Sequence, residues 1–73
     1  MTRPDFSKQM SIEDARTEFP LGTRVRYFPR ADRPSFVHAV VRSRPWALGH
    51  GDVVVNITGW VGGAAVNHLL RDA

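Results

Sequence analysis

Six arginines, Arg24, Arg26, Arg30, Arg33, Arg42 and Arg44, fall between positions 24 and 44, where the only acid is Asp32. That run carries a formal +5, six guanidinium groups against one carboxylate, while the whole chain carries +3. A guanidinium is planar, permanently charged and donates hydrogen bonds in a fork, so this concentration suits recognition of carboxylates or phosphates. Aromatic residues interleave with it: Tyr27 and Phe28 follow Arg26, and Trp46 follows Arg44.

Two binding chemistries fit these residues. In the first, Arg24, Arg26, Arg42 and Arg44 form a positive stripe on neighbouring strands, with Arg30 and Arg33 on the adjacent loop. Phosphates meet the stripe and release counterions, while Trp46 with Tyr27 or Phe28 stacks bases. In the second, Arg30 and Arg33 meet acidic groups of a protein partner and Trp46 or Trp60 fills a pocket on it, because arginine and tryptophan dominate interface hot spots. A third reading needs no partner: the arginines form a solvated face, and a GC-rich coding sequence explains nine arginines against one lysine. Proline-peptide recognition is disfavoured, since the loop from Pro29 to Ser35 is basic where such grooves carry acids.

Nothing in the chain assembles a reaction. The acids Asp5, Glu13, Asp14, Glu18, Asp32, Asp52 and Asp72 are scattered, and no Ser/His/Asp or Cys/His set is evident. There is no cysteine, and His38, His50 and His68 lack the spacing of a structural zinc site. Gly49-x-Gly51 and Gly62-Gly63 are not followed by a helix whose N-terminus would cradle an anion, so they read as hairpin chemistry, with His50 a turn residue. No catalytic residue, metal or cofactor is implied, and a non-enzymatic protein is expected.

The 73 residues suffice for one domain, which at this size buries only about 60% of the unfolded chain's surface. A core that small rarely satisfies two buried indole N–H groups, so self-association through Trp60 or Trp46 is an open expectation. No apolar run approaches the ~20 residues that span a bilayer. No membrane role is expected, Met1 to Met10 lacks the apolar core of a secretory signal, and a cytoplasmic setting is expected. Residues 1–10 read as a flexible arm, and residues 11–73 as a single domain beginning with a helical segment, 11–19.

Ser11 reads as a helix cap, with Glu13 and Asp14 at the positive end of the dipole. The helix over Ser11 to Glu18 presents Ile12, Ala15 and Phe19 as an apolar stripe, and Pro20 ends it. Alternation in Arg24 to Phe28 gives a first strand with Val25 and Tyr27 inward. Phe36 to Arg44 gives a second strand, with Val37, Ala39, Val41 and Ser43 inward and Arg42 and Arg44 at the outer rim; His38 falls on the mixed outer face as a solvated strand histidine. Pro45 to Gly51 reads as a connection containing Trp46. Asp52 to Thr58 is the clearest strand, with Val53, Val55 and Ile57 on one face. Ala64 to Val66 reads as a short fourth strand, and Asn67 to Arg71 as a tight or 3₁₀ turn that tucks Leu69 or Leu70 under the fold.

These elements predict a mainly β chain: a small antiparallel barrel of four to five strands with a short N-terminal helix, closure removing exposed edges. Leu21-Gly22-Thr23-Arg24-Val25-Arg26-Tyr27 and Val66-Asn67-His68-Leu69-Leu70-Arg71 resemble the first and last segments of SH3-like barrel proteins. The phrase Gly22-x-x-Val25-Arg26-Tyr27-x-Pro29 further resembles small uncharacterised proteins of phages and other mobile elements, over about Pro20 to Asp72. The opening is also similar to that of the plasmid-type dihydrofolate reductases. Their Val-Gln-Ile-Tyr segment corresponds to Ala65-Val66-Asn67-His68, which lacks the glutamine, isoleucine and tyrosine, so no substrate or cofactor contact carries over. The resemblance implies a small SH3-like interaction or regulatory module, and the charge and aromatic pattern assigns binding of a protein or nucleic acid to Arg24, Arg26, Arg30, Arg33, Arg42, Arg44, Trp46 and Trp60.

Overall fold

The structure is a computed structural model that describes residues 4–7, 9–30 and 32–72. Helix α1 spans Ile12–Glu18, and Ser11 Oγ accepts a hydrogen bond from the Asp14 amide at 3.1 Å, the cap that its position demands. Seven residues of helix do not persist alone in water. Here Ala15 and Phe19 are buried in the core, with Ile12 packed against it, so tertiary contact supplies the stability. Pro20 to Thr23 then forms a turn closed by the Thr23 amide on the Pro20 carbonyl. Gly22 sits at φ 90°, a conformation that disfavours any side chain.

Six short strands follow: β1 (Arg24–Tyr27), β2 (Val37–Val40), β3 (Trp46–Ala47), β4 (Val53–Val55), β5 (Ala64–Ala65) and β6 (Leu69–Arg71), with a 3₁₀ turn at Val66–His68 before β6. They make two antiparallel three-stranded sheets, ordered β2-β1-β6 and β3-β4-β5. The chain is thus mainly β with one short helix, and the strands exceed the expected four to five. The two extra strands lie where a connection and a turn are predicted. Trp46–Ala47 pairs with Val53 and Val54, and Leu69–Arg71 pairs with β1. Such short segments show no periodicity of their own and become strands only through their partners.

Hydrogen bonding among the described residues does not close into a barrel. The sheets are joined where β2 leaves the first one: Val41 bonds Gly22 and Thr23 on one side and forms a lone bridge with Ile57 on the other. Beyond it the Arg42 amide donates to the Asn56 carbonyl, but the Asn56 amide donates to Ser43 Oγ at 2.9 Å rather than to a backbone carbonyl. Buried Pro45, with no N–H to give, completes the bend.

The core lies between the sheets and is closed by α1. Val25, Tyr27, Ala39, Val41, Val53, Val55, Ile57 and Leu69 are buried there, which agrees with the inward faces read from β1 and β4 and with most of that from β2. Val37 is the exception, 47% exposed at the end of β2. Val54 and Phe28 are also buried, although they lie outside this cluster; Phe28 packs against the rings of Phe6 and Phe36, and Val54 stands opposite Trp46. No helix among the described residues is long and apolar enough to cross a membrane. The arm expected over residues 1–10 falls partly outside the described residues.

Candidate functional site

On β1, Arg24 and Arg26 stand opposite Val40 and His38 of β2. The rest of the expected stripe is displaced: Arg42 lies two residues past Val40, where the chain turns into the second sheet, and Arg44 lies further into the bend. Arg42 and Arg44 are exposed, as the outward reading requires.

Arg26 is held by its neighbours. Its Nε is 3.4 Å from Asp72 Oδ1, and its guanidinium carbon sits 5.1 Å from the Phe36 ring centroid. The second oxygen of Asp72 lies 2.9 Å from His38 Nδ1, so one carboxylate just past β6 ties together side chains of β1 and β2. Arg30 makes a two-pronged pair with Asp32, Nε to Oδ1 and Nη2 to Oδ2 both at 3.2 Å. Arg24, Arg33, Arg42 and Arg44 are exposed and have no carboxylate within 4.0 Å among the described residues. The +5 of the segment therefore reaches solvent chiefly through those four.

Beneath Arg26 lies an aromatic layer that the sequence reading missed. Phe28 packs against Phe6 and Phe36, with ring centroids 6.3 and 5.3 Å away, and Phe6 meets the His68 ring edge-on at 4.8 Å. His68 Nδ1 is 2.7 Å from the Phe28 carbonyl, and the Phe28 amide donates back to the His68 carbonyl. This accounts for the burial of Phe28 on the outer face. The only signal in the sequence was the pair Phe28 and Phe36 bracketing the loop.

The tryptophans occupy two different places. Trp46 lies in β3 rather than in a loop, opposite Val54, and its ring reaches across the sheet to Gly63. That placement buries Val54 yet leaves Trp46 38% exposed. Trp60, in the connection between β4 and β5, stands edge-to-face on Tyr27 with ring centroids 4.8 Å apart and remains 40% exposed beside almost fully exposed Val61. Each indole is packed on one side and open on the other. Burial raises the Tyr27 phenol pKa above its ordinary value of 10.0.

Two concavities flank α1. One, of about 580 Å³, runs between the N-terminal segment, the helix and β6, and includes Asp14, Glu18, Leu69, Leu70 and Arg71. The other, of about 380 Å³, lies between the helix end and the bend at Arg44 and Pro45. It brings Arg44 together with Arg16 of α1, a residue that the sequence reading did not single out. No group of three or more histidine, aspartate and glutamate side chains gathers among the described residues in a way that would hold a metal ion. No family model matches the chain, and no curated protein or solved structure is significantly similar to it.

Proposed function

We propose that this chain is a small, non-enzymatic protein-interaction module of SH3-like architecture, acting in the cytoplasm. The architectural part is supported by the topology: a long loop between β1 and β2, a chain that passes from one three-stranded sheet to the other at Val41, and a 3₁₀ turn that delivers the last strand back to β1. Resemblance of the Gly22 to Pro29 phrase to phage and mobile-element proteins supports a regulatory setting of that kind.

The observation that carries the functional reading is the state of the tryptophans. Trp46 and Trp60 are each fixed by packing, against Val54 and Tyr27 respectively, while nearly two fifths of their surface faces water. A rigid, half-open indole loses little conformational freedom on binding and gains a large apolar contact, the profile of an interface anchor. Affinity capture with the wild-type chain and with the folded Trp46→Ala/Trp60→Ala variant tests the reading. A stoichiometric partner retained only by the wild type supports it, and identical capture profiles overturn it. Sedimentation of the same two proteins decides whether that partner is a second copy.

A nucleic-acid module is the second reading, favoured by the four exposed arginines that no carboxylate offsets. Fluorescence anisotropy of labelled single-stranded DNA, duplex DNA and RNA at two salt concentrations separates the two. Phosphate-driven binding weakens linearly in log salt, whereas an aromatic-anchored protein interface is far less sensitive.

A further inference from the structure

The smaller concavity beside α1 is lined by Arg16, Phe19, Pro20, Leu21, Arg44 and Pro45, with a volume of about 380 Å³. Its floor is apolar and firmly based, since Phe19 and Pro45 are buried. Leu21 on its edge is 69% exposed, an aliphatic side chain left to water beside two prolines. The charged residues of the lining are two arginines and no acid. Neither arginine has a carboxylate within 4.0 Å among the described residues. Of the three carboxylates of α1, Asp14 and Glu18 line the other concavity and Glu13 lines neither.

Both guanidinium groups start from fixed backbone. Arg16 belongs to the last turn of α1, which Ala15 and Phe19 anchor in the core. Arg44 follows Ser43, whose hydroxyl donates to the Arg44 carbonyl at 3.1 Å and accepts from the Asn56 amide at 2.9 Å. Two uncompensated cations at an apolar cleft call for an occupant with negative charge on both sides of an apolar group. The volume lies at the small end of the ~300–1,000 Å³ typical of ligand pockets, which fits one bulky side chain rather than a folded element.

We propose that this cleft docks an acidic, apolar peptide segment of a partner protein. One large aliphatic or aromatic side chain lies against Leu21, Phe19 and Pro45, and flanking carboxylates pair with Arg16 and Arg44, each capable of a bidentate contact. Single-stranded nucleic acid would supply the charge, but the lining offers one aromatic residue, Phe19, and that ring is buried instead of presenting a face for base stacking. The proposal rests on the protein-binding reading but uses a site that contains neither tryptophan, so the two can fail separately.

The test is selection of a random dodecapeptide display library on the wild-type protein, followed by titration of a fluorescein-labelled synthetic copy of the enriched sequence. The expected result is enrichment of an aliphatic or aromatic residue flanked by aspartate or glutamate. The labelled peptide should lose at least tenfold in affinity for Arg16→Gln/Arg44→Gln and for Leu21→Asp, and keep its affinity for Trp46→Ala/Trp60→Ala. The three substituted cleft residues are exposed, so circular dichroism should show both variants folded. No enrichment over an unrelated control protein, enrichment without acids, or unchanged affinity in both cleft variants overturns the proposal. Affinity lost only in the tryptophan variant overturns the cleft and leaves the protein-binding reading standing. Absence of any selected peptide, together with DNA binding that Arg16→Gln/Arg44→Gln abolishes, reassigns the cleft to phosphate.

Discussion

The side chain of Val54 occupies the space that a side chain at Gly63 would need, and the indole of Trp46 borders it. A Cβ built on Gly63 would lie 3.2 Å from Trp46 Cζ2, and 2.7 and 2.9 Å from Cγ2 and Cβ of Val54. Gly63 is therefore a packing requirement of the second sheet, which lets a tryptophan on β3 cover a valine on β4. Gly63→Ala should destabilise the domain by roughly 1–3 kcal/mol, because both neighbours must move. Gly49→Ala is the control, since nothing lies within 4 Å of its Cβ, and it should stay within about 0.5 kcal/mol of wild type in urea denaturation. Equal midpoints for the two variants would refute this packing.

Val55 is fully buried between the sheets. Val55→Asp places a carboxylate there without a partner, at a cost of several kcal/mol, against a total stability of about 5–15 kcal/mol for a typical domain. The variant should show no cooperative thermal transition by circular dichroism at neutral pH. A folded variant with a wild-type melting curve would contradict the inward placement of β4.

Alkaline pH should weaken the fold through Tyr27. Burial disfavours the phenolate, so the native state holds its proton at a pH where the unfolded chain, with a pKa near 10, has begun to release it. Stability from this group is complete below pH 10 and declines as pH rises through 10 towards the higher native value. Urea midpoints measured from about pH 8 to about pH 11 should fall more steeply for wild type than for Tyr27→Phe. Parallel curves would show that Tyr27 does not contribute.

Arginines of one segment should divide by what they touch. Arg42→Glu/Arg44→Glu should leave stability within about 0.5 kcal/mol while abolishing partner binding, because both side chains are exposed and unpaired. Arg26→Ala should instead cost about 1 kcal/mol, losing its place over Phe36 and beside Asp72. Thermal unfolding of the two variants beside a binding assay reads both effects. Loss of folding in the Arg42/Arg44 reversal would make those residues structural.

Much of the fold is legible in the chain because local chemistry states it. Ser11 before Ile12, Ala15 and Phe19 specifies a capped helix with one apolar stripe, and Val25/Tyr27 and Val53/Val55/Ile57 specify inward faces by simple alternation. The periodicity fails where burial comes from an unexpected direction. Val54 alternates outward, yet it is buried opposite Trp46; Val37 alternates inward, yet it is exposed as the first residue of β2, the edge strand of its sheet. The candidate site was legible as a list of residue types but not as a surface, since charge along a strand does not reveal which arginines a distant acid will take. Asp72 takes Arg26 from the far end of the chain, whereas Asp32 takes Arg30 from two residues away.

The sequence by itself determined a mainly β chain with a capped helix, an apolar face on each principal strand and an arginine-rich segment too basic for its acids. Those properties depend on residues close together along the chain, where alternation, capping and composition act directly. Only the tertiary structure decided that Trp46–Ala47 and Leu69–Arg71 are strands, that Val41 carries the chain from one sheet to the other, and that Arg16 and Arg44 share a cleft. Each of these depends on partners brought together from remote parts of the chain, and short segments acquire structure and function only from the surfaces they meet.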